Sequence, residues 1–303
     1  MDKYTEQSQA RGELFRELLI DYHLLGYEDQ LVMLRFDAPK VLVEAIKAGL
    51  IANVHGNENT AEVRQILADH IALPIKRNIK DEAFCEVFHA SINYVEEVMS
   101  RFVRDDSRTP RLGVKLSDRV LRRLRGSMIR AGFLYRTGGW FEGDAIVRQI
   151  LEQLAWAYCV CEIADVKSIG KISPTKSITP LASLISSVGR FYGRLSTLAH
   201  LSPKIHGLFM TEHDGKQKII EAHGEESLLQ VFNLTVIADI FAVVFEYTQE
   251  GWMKELKNWV RNDSGKLKLI QDRQGIPVSE QTMSIFNEIK SSAEANVKKR
   301  GTL

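Results

Sequence analysis

The residues best suited to chemistry lie on one short segment that ends at Pro203: Arg190, Tyr192, Arg194, Ser196 and His200. Residues four apart on an α-helix drift by only about 40°, so Tyr192, Ser196 and His200 are predicted to share a face. Arg194 and His200 are about 120° apart on a straight helix, and the helix end predicted at Pro203 lets them converge. A histidine suits proton transfer and an arginine suits binding of a charged phosphate. The alternative is a histidine that merely stabilises a helix C-terminus by bonding to Ser196 or to carbonyls.

A second helix, predicted over 141–163, is mostly apolar but carries the polar side chains Arg148, Gln149, Glu152 and Gln153. Arg148 and Glu152 are four residues apart and therefore neighbours on the helix surface. If this stripe is buried, the two charges must pair, because an unpaired buried charge is costly. Three interpretations stay open: a buried structural pair, a solvent-exposed face and a part of a site.

The two helices together resemble a known family. The Arg-x-x-x-Glu of Arg148 and Glu152, followed by the Tyr-x-x-x-Ser-x-x-x-His-x-x-Pro that runs from Tyr192 to Pro203, resembles a group of bacterial helical proteins related to the HEPN superfamily. The resemblance covers roughly residues 130–250. It implies a helical, metal-independent ribonuclease of toxin or phage-defence type, whose site forms where two protomers meet.

The family motif is an arginine, four to six residues and then a histidine, and Arg194 and His200 fit this spacing. The resemblance therefore implies that His200 acts as general base or acid and that Arg194 stabilises the phosphate, with Arg190 as a further phosphate contact. It also implies RNA as substrate and a homodimer. Leu195 departs from the family, whose active members usually carry a polar residue after the arginine.

Residues 101–136 form a basic stretch. Residues 101–136 hold eleven Lys or Arg and three acids, and Arg119, Arg122 and Arg123 are predicted to share a helix face. Such a stripe suits the phosphate backbone of RNA. It is equally typical of a solvated face that pairs with acids elsewhere, for instance in the acidic first sixty residues.

The composition excludes several classes of protein. The chain has 303 residues and a net charge of +1, so no global field favours nucleic acid or membrane. Its eight scattered histidines and three cysteines predict no metal site and no disulfide framework, and the common nucleotide-binding and hydrolase motifs do not occur in it. We therefore expect no cofactor.

The most apolar run, 231–247, is 17 residues long and contains Asn233, Asp239 and Glu246. A membrane span needs about 20 apolar residues, so this run predicts a buried helix. We expect a cytoplasmic protein with no membrane segment.

Helical periodicity predicts an all-α, multi-helix bundle with at most one small hairpin, at 209–220 around Asp214-Gly215. Pro180 is predicted to open a helix that runs to about residue 201, after a loop at 172–179, and Ser279 to cap a final helix. We divide the chain into an N-terminal helical region (1–105), a HEPN-like bundle (106–260) and a C-terminal loop and helix (261–303).

A second function is compatible with the same helices: a non-catalytic binding or scaffold protein that recognises a partner protein or a nucleotide. That function needs neither Arg194 nor His200 in a site. It predicts instead an exposed apolar patch or groove.

Overall fold

The computed structural model describes residues 22–27, 30–35, 38–54, 79–103, 109–137, 139–199, 210–213, 216–219, 224–273 and 275–285, with residues 287 and 291. Contacts divide the chain into two compact units, Met1–Glu82 and Ala83–Leu303, and each is described by itself. The described residues are mostly helical, which confirms the all-α class. The boundaries that we place near residues 105 and 260 stay predictions.

The first unit contains a hairpin that the sequence analysis did not predict. Strands β1 (Tyr22–Tyr27) and β2 (Gln30–Arg35) pair antiparallel, from Tyr22 opposite Arg35 to Tyr27 opposite Gln30. Each apolar run is only six residues long, which suits a strand better than a helix. Helix α1 (Lys40–Val54) follows, with Pro39 accepting hydrogen bonds from its first turn.

The second unit contains the following helices: α2 (Ile79–Ser100), whose first residues belong to the first unit, α3 (Leu112–Arg136), α4 (Trp140–Val160), α5 (Val166–Ile169), α6 (Pro174–Leu184), α7 (Ser187–Ala199) and α8 (Gly224–Thr248). Residues 280–285 are helical as well. Helix α4 is the centre of the bundle and packs against α3, α6, α7 and α8. Its first turn carries Glu142, where a helix N-terminus favours an acid.

Helix α8 is apolar on all sides, and the bundle buries most of it. Of the described helices, it alone is long and apolar enough to cross a bilayer, over Leu229–Thr248, and 67 % of its apolar window is buried. Length and composition of this kind are shared by the core helices of folded bundles. The side chains of Phe241 and Phe245 stack inside the bundle with their ring centroids 5.4 Å apart.

The polar residues of α8 anchor other parts of the chain. Asp239 forms a two-pronged ion pair with Arg273, at 2.9 and 2.8 Å. Glu246 is fully buried and lies 2.9 Å from Nη1 of Arg101. Its carboxylate also accepts the backbone N–H groups of Lys257 (3.2 Å) and Asn258 (2.8 Å). These acids therefore fix the segments that flank the helix.

The prediction that one helix begins at Pro180 is wrong. The structure has two helices there, because α6 begins at Pro174 and a break at Ile185, whose φ is −122° and ψ 95°, separates it from α7. Ser173 and Pro174 form the start, where proline loses no helical hydrogen bond. Pro180 lies inside α6 on its exposed side, where water can reach the carbonyl that proline leaves free.

The predicted hairpin is present as β3 (Met210–His213) and β4 (Lys216–Ile219). The number of hairpins was underestimated, since β1–β2 and a third pair, β5 (Trp259–Arg261) with β6 (Leu267–Leu269), also form. The predicted cap is confirmed, because Oγ of Ser279 accepts the N–H of Thr282 at 3.2 Å and residues 280–285 are helical.

A glycine at the start of α3 permits close contact with the end of α4. Gly113 donates its N–H to the carbonyl of Ile163 at 2.9 Å, and a Cβ at this position would overlap the carbonyl oxygen of Val160. We expect Gly113→Ala to lower the free energy of unfolding by about 2–3 kcal/mol, because backbone atoms cannot move aside as a side chain can. Urea denaturation measures this.

Gly126 provides the matched control on the same helix. A Cβ there would meet nothing closer than the guanidinium of Arg130, at 3.5 Å. We expect Gly126→Ala to raise the free energy of unfolding by about 0.5–1 kcal/mol, because alanine is the better helix former. Equal effects of the two substitutions would contradict the close contact at Gly113.

Candidate functional site

Three of the predicted site residues form one cluster between α4 and α7. Nε of Arg148 lies 3.2 Å from Oε1 of Glu152, and the side chains are 20 % and 17 % exposed. The hydroxyl of Tyr192 donates to the same Oε1 at 2.9 Å and accepts from Nη2 of Arg148 at 3.3 Å. The guanidinium also lies over the tyrosine ring, 5.5 Å from its centroid. The charged residues of the polar stripe, Arg148 and Glu152, therefore form a mostly buried ion pair that α7 covers, whereas Gln149 is exposed.

Arg194 lies on α7 and reaches α8 instead. Its guanidinium donates to Oδ1 of Asn233 and, at 3.5 Å, to Oε1 of Gln230. It also lies 5.3 Å from the ring centroid of Phe191. Within the described part of the chain, no carboxylate forms an ion pair with Arg194, which is exposed. Neutral amides thus orient the guanidinium while its charge stays available to an anion.

Behind Arg194 is a buried network that joins three helices: Tyr135 of α3, Asp144 of α4 and Asn233 of α8. Oδ1 of Asp144 accepts the hydroxyl of Tyr135 and Nδ2 of Asn233, each at 2.6 Å. Nδ2 of Asn233 also donates to Gln230 at 2.9 Å. Tyr135 and Asp144 are completely buried, and Asn233 is 4 % exposed. The side chain that holds Arg194 is therefore itself held by the core.

Burial raises the pKa of Asp144 to about 6, although the hydrogen bonds from Tyr135 and Asn233 and the charge of Arg194 favour its ionised form. Burial, and the neighbouring Asp144, also raise the pKa of Tyr135 well above its ordinary value. Oδ2 of Asp144 is buried and has no hydrogen-bond partner among the described residues. Functional sites are enriched in buried carboxyls whose pKa is raised in this way, and Asp144 lies behind an exposed cation.

The decisive partner of Arg194 in the prediction, His200, lies outside the described residues, and so does Pro203. Their convergence stays a prediction. Arg190 is exposed on α7, one turn before Arg194. Oγ of Ser196 is buried and has no hydrogen-bond partner in the part of the chain that the structure describes.

The three arginines of the predicted stripe, Arg119, Arg122 and Arg123, have different surroundings. Arg122 pairs with Asp118 at 2.8 Å and lies 4.9 Å over the ring of Phe102. Arg123 turns to α4 and donates to Gln153. Arg119 is exposed. The three side chains therefore do not present one common cationic surface.

Sequence reasoning missed Tyr135 and Asp144 and assigned Asn233 no role in a site. The available signal was a short polar side chain in each of two mostly apolar helices, Asp144 in α4 and Asn233 in α8. A buried polar side chain needs a partner, so such residues predict contacts with one another. Tyr135 gives no comparable signal, because tyrosine is common in cores.

Among the described residues, no three His, Cys, Asp or Glu side chains are close enough to hold a metal ion. Compared with known proteins, the chain matches no family model, no curated sequence and no solved structure.

Proposed function

We propose that the protein is a metal-independent RNA endonuclease of toxin or defence type, in which Arg194 stabilises the phosphate and His200 transfers the proton. The observation that supports this most is the state of Arg194: its exposed guanidinium is oriented by Asn233 and Gln230, and no carboxylate of the described residues forms an ion pair with it, although the buried Asp144 lies close enough to feel its charge. Arginine in a fixed orientation suits phosphate recognition.

The proposed reaction is transfer of the phosphate within the ribose. His200 takes the proton of the 2′-hydroxyl, the 2′-oxygen attacks phosphorus, and the 5′-oxygen leaves and takes up a proton. Arg194 holds the negative charge that grows on the non-bridging oxygens. The products are a 2′,3′-cyclic phosphate and a 5′-hydroxyl. A homodimer would place two Arg194–His200 pairs side by side.

Arg190 lies one turn from Arg194 and is exposed, so it is proposed to contact a neighbouring phosphate. The cluster of Arg148, Glu152 and Tyr192 is proposed to fix α7 against α4, because its charges are paired with one another. These three are positioning residues in the proposal.

A gel assay with labelled RNA in EDTA tests the proposal. We expect the wild-type protein to cleave, and Arg194→Ala and His200→Ala each to lose at least about 100-fold in rate, because each removes transition-state stabilisation or proton transfer. Lys268→Ala removes an exposed cation from β6 and is the matched control, expected to cleave like the wild type.

Measuring the cleavage rate at several protein concentrations tests whether the site requires a dimer. A rate that rises with the square of the concentration supports a site shared between protomers. Cleavage by His200→Ala at the wild-type rate would refute the assignment of His200. If no variant and no wild-type sample cleaves any RNA, the protein is not a ribonuclease and the binding or scaffold function replaces the proposal.

A further inference from the structure

A cavity of about 430 Å³ lies between the start of α3 and the residues that follow α8. Its wall includes Lys115, Asp118, Arg119, Arg122, Gln249 and Trp252. This volume is within the range of ligand-binding pockets. Thr248, the last residue of α8, is about 22 Å along the helix from Asn233, so the cavity is separate from Arg194.

The cavity wall has a surplus of positive charge. Arg122 is paired with Asp118. Lys115 and Arg119 are exposed, and among the described residues no acid forms an ion pair with either of them. These features favour an anion, and two cations four residues apart suit a phosphate group.

Two aromatic residues, Phe102 and Trp252, also line the cavity. The guanidinium of Arg122 already covers a face of Phe102, 4.9 Å from its centroid. Trp252 is partly exposed, and its backbone is held at the cavity because its carbonyl accepts the N–H of Val103 at 2.9 Å. Its indole provides a flat surface on which a planar ring can stack. Gln249, 1 % exposed, adds a hydrogen-bonding amide to the wall.

We propose that this cavity binds a nucleotide, with the phosphate on Lys115 and Arg119 and the base against Trp252. A phosphate alone would use only the cations, and an apolar ligand would leave them unpaired; a nucleotide uses both parts of the wall. This inference goes beyond RNA cleavage and does not depend on it. The ligand is either a free nucleotide or a nucleotide of an RNA strand.

Calorimetric titration of the full chain with adenosine 5′-monophosphate, in EDTA, tests the site without any cleavage step. We expect Arg119→Ala to weaken binding about 10-fold or more, because a charged hydrogen-bond partner of the phosphate is lost. Trp252→Ala is expected to weaken it by about 5- to 100-fold through the loss of stacking. Inorganic phosphate and adenosine should each bind more weakly than the monophosphate.

Arg130→Ala is the matched control. Arg130 is exposed on the same helix, about 16 Å further along its axis, and does not line the cavity. Binding by this variant should equal that of the wild type. Trp252→Phe guards against misfolding of Trp252→Ala, since it retains a ring and should bind with intermediate affinity.

The proposal would be overturned if the wild type showed no saturable binding of the monophosphate, or if the wild type and Arg119→Ala bound it equally. Inorganic phosphate that binds as tightly as the monophosphate, regardless of Trp252, would also overturn it, because the base would then make no contact. An eight-nucleotide single strand of RNA distinguishes the two sources. Displacement of the monophosphate by the strand at lower concentration identifies an RNA strand, and otherwise the ligand is a free nucleotide; both support the site.

Discussion

Replacing Glu246 by alanine is expected to lower the free energy of unfolding by about 3–5 kcal/mol, because it removes the buried counter-charge of Arg101. The Glu246 side chain is 0 % exposed and that of Arg101 is 12 % exposed. The substitution also removes the acceptor for the N–H groups of Lys257 and Asn258. Urea denaturation followed by circular dichroism measures the loss.

The ion pair between Glu97 and Lys257 supplies the control for Glu246. It is also a Glu–cation pair, with its atoms 2.5 Å apart, but its side chains are 51 % and 46 % exposed. We expect Glu97→Ala to change the free energy of unfolding by less than about 1 kcal/mol. Arg101→Met combined with Glu246→Gln should recover part of the stability lost in Glu246→Ala, because no unpaired charge remains. A loss in Glu246→Ala no larger than in Glu97→Ala would contradict the importance of burial.

The second large effect is a dependence of stability on pH that originates from Asp144. Its pKa is raised from 3.8 to about 6 in the folded protein, so between these values the folded state binds a proton that the unfolded state has released. This contribution to stability is complete below about pH 4 and is lost as the pH rises through 6. A shift of this size corresponds to about 3 kcal/mol.

Asp144→Asn removes the titration and keeps the acceptor for Tyr135 and Asn233. The difference in free energy of unfolding, variant minus wild type, should therefore increase by about 3 kcal/mol between pH 4 and pH 8. Asp263→Asn, at an exposed position between β5 and β6, is the control for the other titrating groups. A difference for Asp144→Asn that is the same at both pH values would show that burial does not raise the pKa of Asp144.

Asp144→Asn also tests whether Asp144 contributes to the proposed function. A buried carboxyl lowers the stability of the folded protein at neutral pH. Selection keeps such a residue more readily where it contributes to function than where it only fills the core. If Asp144→Asn is more stable at pH 8 and also cleaves RNA more slowly, Asp144 acts on Arg194 through Asn233. A shifted pH profile of cleavage, with unchanged folding, distinguishes this positioning role from a structural one.

Much of the helical fold could be predicted from the sequence, because the apolar residues of α2, α3, α4 and α8 recur with a clear helical or continuous pattern. The division of the predicted 180–201 helix could not. Pro174 and Pro180 are both compatible with a helix start, so local sequence does not distinguish them, and the structure places the start at Pro174 in a helix that packs against α4. The hairpin β5–β6 was missed because strands of three residues leave almost no periodic signal.

The candidate site was predictable in one part only. Helical spacing predicted that Arg148 lies beside Glu152. The structure adds Tyr192, which belongs to another helix and bonds to Glu152. The network of Tyr135, Asp144 and Asn233 joins residues 9 and 89 positions apart. Contacts of that separation depend on the order in which helices pack, and no local pattern encodes it.

The polar residues of α8 also determine how that helix is seated. A helix that is apolar on every side buries nearly the same apolar area in many rotations and at many positions along its axis. Apolar packing alone therefore leaves its register loosely defined. Asn233, Asp239 and Glu246 remove this freedom, since each has a partner on a different segment. A slip of one turn, about 5.4 Å, would separate all of them from their partners at once. The register of α8 is thus encoded by three side chains spread over its length.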